Sequence, residues 1–335
     1  MSFWEKLQKP FFVLAPMADV TDPAFRRVIA KYSAHTRVDG TTGGPDVTWT
    51  EFVSADGLAR ATPEGQVKLR ADLIYDETER PIVAQLFSSN TEHMEQAARL
   101  CRELGFDGVD INMGCPDTSI EKQGAGAAHI KNPARAVEVI EAAMRGALHH
   151  DGGIPVSVKT RLGYNTDILE EWLPKILSTN VAAVTVHART RKDMSKVPAR
   201  WERVARAVAM RDALGSSTRV IGNGDALSLS DARAKATESG ADGVMLGRAI
   251  FGNPWLFHPE KDLSNVSLEE RFAVMIEHTK LYEELLPHKS FAIMKKHFKA
   301  YVNGFDGAHE LRAKLMEATH SNEIERHVAD FLKNL

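Results

Sequence analysis

Residues 81–112, PIVAQLFSSNTEHMEQAARLCRELGFDGVDIN, decide the fold. The stretch opens with Pro81-Ile82-Val83-Ala84-Gln85-Leu86, a run too short for a helix and suited to a pleated surface. Met94, Ala97, Ala98, Cys101 and Leu104 then recur at three- and four-residue intervals, the spacing of one helix face. Ser89 with Glu92 reads as a capping box, and Gly105 as the left-handed residue just past the helix end. A second short run, Gly108-Val109-Asp110-Ile111-Asn112, follows at once. Strand, helix and strand in this order imply two parallel strands joined by a right-handed crossover.

The same rhythm extends outward from Phe11 to about Gly252. Upstream lie Phe12-Val13-Leu14 and, after a glycine-rich connection from Gly40 to Pro45, Asp46-Val47-Thr48-Trp49-Thr50. Downstream lie runs at Pro155–Lys159, Ala183–His187, Arg219–Gly222 and Gly243–Leu246. Between them, Asn132 caps a helix with Pro133 in its first turn and Val137, Ile140 and Met144 on its buried face. Another helix runs from about Leu227 to Ser239 and stops at Gly240. About eight such units fit a closed (β/α)8 TIM barrel better than an open doubly wound sheet. A barrel gathers its chemistry at the C-terminal strand ends, and Gln85, Asn112, Lys159, His187, Asn223 and Arg248 all fall there. After Phe257 the rhythm stops. Ser264–Leu335 reads as helices, with Phe272, Met275 and Ile276 on one face, Pro287 as a break, and Gly304 and Gly307 as separators. The expected division is a barrel over residues 1–260 and a small helical domain over 261–335.

The 335 residues, 43% apolar and 26% charged, suffice for a substantial core. No apolar run approaches a membrane span, and Met1-Ser-Phe-Trp-Glu-Lys6 is charged too early for a secretory signal. Two cysteines make neither a disulfide framework nor, alone, a zinc site, so the expectation is a cytoplasmic, metal-free monomer with reduced thiols. The formal net charge of −3 gives no global sign of nucleic-acid binding.

The last two tips, Gly222-Asn223-Gly224-Asp225 and Gly247-Arg248, occupy the place where many barrels bind phosphate. Glycine lets an anion approach the main chain, and Arg248 adds charge. Either tip alone would read as a tight turn; two adjacent ones favour a phosphate, and at this place in a barrel that phosphate often belongs to FMN. Lys159 would set a cation where a reduced flavin ring carries negative charge. Gln85 offers an amide to the ring's pyrimidine edge, and His187 a donor to the phosphate or ribityl chain. Taken singly, Lys159 also reads as an ion-pair partner and His187 as a core histidine. Asp19 and Asp22 read as helix caps. Cys101 lies on an apolar helix face; Cys115 follows a strand in Asn112-Met-Gly-Cys-Pro116, on an exposed tip. Cys115 is open to three readings: nucleophile, proton donor or incidental thiol. A thiol with pKa near ~8.5 keeps its proton at neutral pH and suits a general acid.

Taken in order, these tips resemble the tRNA-dihydrouridine synthases, FMN-dependent enzymes that reduce specific uridines in tRNA. The resemblance runs through Ala15-Pro-Met-Ala-Asp-Val-Thr-Asp-Pro-Ala-Phe-Arg26, Asn112–Pro116 with Gly124-Ala-Gly-Ala-Ala128, and Lys159-Thr-Arg161. It continues through His187-Ala-Arg-Thr-Arg191, Asn223-Gly-Asp225 and Asp242–Arg248, then Lys296-His297 through Tyr301 and Gly304-Phe305 in the tail. It implies that Pro16, Met17, Ala18, Gln85, Lys159, His187, Asn223, Gly224, Asp225, Gly247 and Arg248 hold FMN, with NADPH as reductant. It also implies that Asn112 faces the target uracil and that hydride passes from flavin N5 to uracil C6 while Cys115 protonates C5. The base must leave its RNA stack to reach such a pocket.

Ser119 stands where the family often has Lys, and Ser195 and Val197 where it usually has Tyr and Gly. These positions bear on which uridine is chosen and how RNA docks. Lys289, Lys295, Lys296, Lys299, Arg312 and Lys314, with Arg189, Arg191 and Lys192 at the barrel mouth, sketch a basic path for tRNA; the plainer reading is an ordinary solvated surface. Two other functions stay open: an FMN barrel oxidoreductase acting on a free small molecule, as dihydroorotate dehydrogenases do, and a non-catalytic tRNA-binding protein.

Overall fold

The computed structural model describes residues 2–37, 40–261 and 263–334. Eight parallel strands form the barrel: β1 (Phe11–Leu14), β4 (Thr48–Ser54), β5 (Ile82–Phe87), β6 (Gly108–Met113), β7 (Val156–Arg161), β8 (Ala183–His187), β9 (Arg219–Asn223) and β10 (Gly243–Leu246). The two remaining strands, β2 (His35–Thr36) and β3 (Thr42–Gly43), make a small antiparallel ribbon. The sheet order is β1-β10-β9-β8-β7-β6-β5-β4. Backbone bonds from Asp46 N to Phe12 O (2.9 Å) and from Leu14 N to Val47 O (3.1 Å) join its two ends, so the sheet closes on itself.

Alternation along each strand sorts side chains into an inner and an outer set. Phe11 and Val13 pack inward with Trp49, Val83, Ile221 and Met245, whereas Phe12 and Leu14 pack outward with Val20, Phe25 and Ile29. Trp4 closes the bottom of the inner layer, its ring centroid 5.9 Å from both Phe11 and Trp49. The register pairs Asn112 with Lys159 and His187 with Asn223, which places the inward residues of the top layer side by side around the mouth.

The helices follow the expected positions, with three corrections. Asn90 caps the helix Thr91–Glu103 by accepting from His93 N, while Ser89 turns its hydroxyl to Gln123 O; the capping box read at Ser89 and Glu92 does not form. Asp22 caps the helix Pro23–Tyr32, but Asp19 is no cap: it sits in a left-handed turn at φ 54° and gives its amide to Glu51. The helix expected from Leu227 starts at Leu229, capped by Ser228, and leaves Leu227 exposed.

Beyond the barrel lie the helices Leu268–Leu285, Lys295–Tyr301, Ala308–Glu317 and Ser321–Leu332. Their apolar cluster includes Ala24 and Val28 of the barrel helix Pro23–Tyr32, so the tail shares a core with the barrel's first crossover. No described helix is long and apolar enough to cross a membrane, and no group of three or more described His, Cys, Asp or Glu is placed to hold a metal ion.

Candidate active site

A cavity of about 530 Å³ opens at the C-terminal end of the barrel. Pro16, Met17, Lys159, His187, Asn223, Gly224, Asp225, Gly247 and Arg248 line it, as do Arg189 and Ser195. Ala18 and Gln85 do not belong to that lining. Asn223 is fixed by its amide, which donates to Met245 O at 2.8 Å. Gly224 lies at φ 126°, and a Cβ there would stand 2.8 Å from that of Ala199, so only glycine makes this tip. A Cβ on Gly247 would sit 3.5 Å from Ala15 Cβ and 3.6 Å from the Met17 sulfur, ordinary contact distances.

The charges are ordered. Asp225 accepts from Arg189 and Arg248 and from Ala199 N at 2.8 Å. Burial works against its charge, yet the Arg189 guanidinium keeps its pKa below the usual carboxylate range. Arg189 also donates to Val197 O at 2.6 Å and to His187 Nε2 at 3.2 Å. A guanidinium can only donate, so His187 Nε2 accepts and its proton belongs on Nδ1. Burial, followed by the charges of Lys159 and Arg161, pushes the His187 pKa well below 6.5, so the ring is a neutral donor. Burial, then Arg161, lowers Lys159 to about 8. Lys159, Arg189 and Arg248 against the one carboxylate of Asp225 leave two net positive charges around a cavity of ordinary ligand size, which suits a phosphate-bearing group.

Beside this cavity, the tip of β6 carries Cys115. Asn112 Oδ1 accepts from Gly114 N (3.1 Å) and Cys115 N (2.9 Å), while Asn112 Nδ2 donates to Gln85 Oε1 (3.1 Å). Gln85 Nε2 donates in turn to Asp110 Oδ2 (2.7 Å), and Ser157 Oγ to Asp110 Oδ1 (2.6 Å). This buried chain fixes the turn into Cys115 from beneath, and burial raises the Asp110 pKa to about 6. Arg161 donates from its Nε to Gly114 O at 2.7 Å, and Ala127 N to Cys115 O at 2.9 Å. A Cβ on Gly126 (φ 60°) would lie 2.8 Å from Cys115 O, so the returning chain needs glycine there. The thiol is half-buried, not fully exposed as expected; burial pushes its pKa up, so it carries its proton at neutral pH. Cys101 is buried and pushed up to about 12.

Several expected residues make bonds within the protein. Gln85 is fully buried, with its amide donating to Asp110 and accepting from Asn112. Arg189 is buried within the cavity wall and lies on no surface path. Arg191 is committed to Glu121. Lys289 is inserted between Glu51 and Asp72, at 2.9 and 2.7 Å, and leaves the basic path altogether. Lys295 and Lys296 are half-buried and Lys299 exposed, and none makes an ion pair with a described residue. The sequence reading missed Asp110, Glu121, Tyr164 and the contribution of Arg161. Asp110 was legible, since period two puts it on the inward face with Asn112; Glu121 ends a helix of only four residues and Tyr164 sits in an irregular segment, neither of which carries such a signal.

The sequence model of a family described as Dihydrouridine synthase (Dus) matches residues 13–335. "Probable tRNA-dihydrouridine synthase 2" of Bacillus subtilis (strain 168) is 39% identical over 334 residues, covering 98% of this chain and 96% of that protein. "Probable tRNA-dihydrouridine synthase" of Staphylococcus aureus (strain MRSA252) is 37% identical over 318 residues, covering 94% and 91% respectively. Among solved structures, 2-naphthoyl-CoA reductase in complex with 2-naphthoyl-CoA superposes with a TM-score of 0.51 at 12% identity, over 73% of this chain and 49% of that one, a likeness of fold.

Proposed function

The chain belongs to the dihydrouridine synthase family, and from that premise we propose that it reduces specific uridines of tRNA to 5,6-dihydrouridine, with FMN as resident cofactor and NADPH as reductant. The observation that carries the cofactor reading is the pair of glycine tips of β9 and β10, where Arg189 and Arg248 outweigh the single carboxylate of Asp225 beside bare backbone and suit a phosphate, with Lys159 adding a further positive charge to the same cavity. Bound there, FMN would supply hydride chemistry, with NADPH as the electron source and uracil C6 as the acceptor. Asn223, Gly224, Gly247 and Arg248 would hold the phosphate end, and Pro16 and Met17 would contact the ring. Lys159 would set its charge against the negative charge of the reduced flavin, and neutral His187 would donate through Nδ1. Ala18, exposed beside Met17, and Gln85 complete the set proposed for the flavin, and Gln85 also fixes Asn112. Cys115, protonated at neutral pH, gives its proton to uracil C5 and is left as thiolate, to be reprotonated from solvent. Asn112 has a second amide N–H beyond the one given to Gln85, which would serve the base. Residues 261–335 form the RNA-binding part, with Lys295, Lys296 and Lys299 meeting phosphates. The protein acts as a monomer in the cytoplasm.

Purified protein should be yellow, or become so with FMN, and should convert uridines in unmodified tRNA when given NADPH. A colourless protein with no flavin spectrum after FMN addition ends both enzyme readings. A yellow protein inert toward tRNA points to a small-molecule substrate instead. Cys115→Ala should keep NADPH-driven bleaching of the flavin and slow reoxidation by tRNA by about 10²–10⁴-fold, the usual worth of a positioned acid. Unchanged reoxidation removes Cys115 from that role.

A further inference from the structure

After Cys115 the chain crosses the barrel mouth, forms the short helix Thr118–Glu121 and the turn Gly126–Lys131, and only then enters the helix Pro133–Ala147. Gly124 and Gly126 both take left-handed conformations within this crossing. Beside the packing of Ile120 and Ala125 on Phe87 and the bond from Ser89 to Gln123 O, two residues from neighbouring tips hold it, Tyr164 after β7 and Arg191 after β8. Arg191 donates Nε to Glu121 Oε1 at 2.7 Å and Nη2 to Glu121 Oε2 at 2.6 Å, a two-bond fork. Its Nη2 also reaches Pro116 O, the carbonyl just after Cys115, at 3.4 Å. Tyr164 donates its hydroxyl to Glu121 Oε2 at 3.2 Å. The Tyr164 ring lies between two cations, Lys131 Nζ at 4.4 Å and the Arg191 guanidinium at 5.2 Å from its centroid. The start, middle and end of the thiol-bearing crossing therefore meet one anchor.

The Glu121 side chain is 9% exposed and that of Arg191 24%, so the fork is shielded and worth more than a surface pair. A guanidinium with its fork spent on a shielded carboxylate is a poor phosphate contact. We propose that Glu121, Tyr164 and Arg191 form a latch that positions the Cys115 thiol over the pyrimidine site, making Arg191 a positioning residue for the protonation step and not a contact to RNA phosphate. The latch rests on the reading of Cys115 as the acid. A displacement of about 1 Å at a reacting group costs on the order of a hundredfold in rate, and the latch removes that freedom.

Two readouts test it on the FMN-loaded protein. Cys101 is fully buried, so alkylation by iodoacetamide reports Cys115 alone. Glu121→Gln and Arg191→Glu should each speed alkylation about fivefold or more as the crossing loosens. In the same variants, kcat for tRNA-driven flavin reoxidation, taken relative to bleaching by NADPH, should fall about tenfold while KM for tRNA stays within about twofold. The swapped pair, Glu121→Arg with Arg191→Glu, should recover both measures toward wild type. Alkylation at the wild-type rate with a raised KM for tRNA overturns the latch and returns Arg191 to the RNA, as does a swap no better than its single variants. If Arg191→Glu does not fold, Tyr164→Phe, which removes only the hydroxyl bond to Glu121, carries the same test through alkylation. A wild-type protein inert toward tRNA would fail the functional reading, and the alkylation rates would still decide the latch.

Discussion

Lys159 projects from the inward face of β7 into a buried setting, and burial, helped by Arg161, lowers its pKa from 10.5 to about 8. Below about pH 8 both folded and unfolded chains hold this proton, and the buried charge weakens the fold. Between about 8 and 10.5 the folded chain has released it while the unfolded chain retains it, so that penalty lifts as pH rises. A bound anion restores the proton. FMN affinity should therefore fall about tenfold between pH 7 and 9, with proton uptake on binding measurable by calorimetry in buffers of different ionisation heat. Lys159→Met should bind FMN weakly and lose the slope; a flat wild-type profile would remove Lys159 from the flavin's charge partners. Asp22 behaves in the opposite sense. Burial raises its pKa from 3.8 to about 7, although one oxygen caps Phe25 N at 2.9 Å; its Oδ2 is buried without a partner. The folded chain keeps that proton between those values while the unfolded chain has lost it, so stability falls as pH climbs through the window. Asp22→Asn keeps the capping oxygen and should raise the thermal midpoint more at pH 8 than at pH 5. An equal shift at both would show that Asp22 does not titrate there.

The barrel's elements were legible where a period ran through them. Strands such as Gly108–Met113 and helices such as Thr91–Glu103 carry their burial pattern in the spacing of their own residues. Their ends were less so. Ser89 and Asn90 both suit a helix cap, and the choice falls to Asn90 because Gln123 O, more than thirty residues away, takes the Ser89 hydroxyl. Packing between elements was likewise hidden. The helices Thr91–Glu103 and Pro133–Ala147 approach so closely that a Cβ on Gly146 would fall 2.1 Å from Glu95 O. Alanine has the better helix propensity by about 1 kcal/mol, but forcing it against backbone costs about 1–3 kcal/mol. Gly146→Ala should therefore lower the midpoint of denaturant unfolding; a rise would mean that the two helices slide apart freely.

Across the whole molecule, one lysine ties the tail to the barrel. Lys289 lies against Glu51 of β4 and Asp72, and Glu51 uses its other oxygen to hold the Asp19 turn beside Met17. Burial opposes the Lys289 charge, yet the two carboxylates hold its pKa above the usual lysine range. Lys289→Met would strand Glu51 without its cation, at a cost of about 3–5 kcal/mol, visible as a large drop in thermal midpoint; a shift under a degree would make the contact incidental. Neutralising Lys295, Lys296 and Lys299 together should leave that midpoint nearly unchanged, weaken tRNA binding and flatten its salt dependence by about two to three units of log–log slope. An unaltered slope would move the RNA surface elsewhere.

The sequence by itself determined the strand and helix march, the closed barrel it implies, the glycine tips and the family, because each of these is written in local spacing or in ordered short motifs. Only the tertiary structure decided which charges are free. Arg189, Arg191 and Lys289 look alike as basic residues in the chain, and each is bound to a carboxylate distant in sequence, Asp225, Glu121 and Glu51. Charge pairing acts over a few ångströms of space, whatever the separation along the backbone, so no reading of neighbours could separate a buried clamp from an open cation.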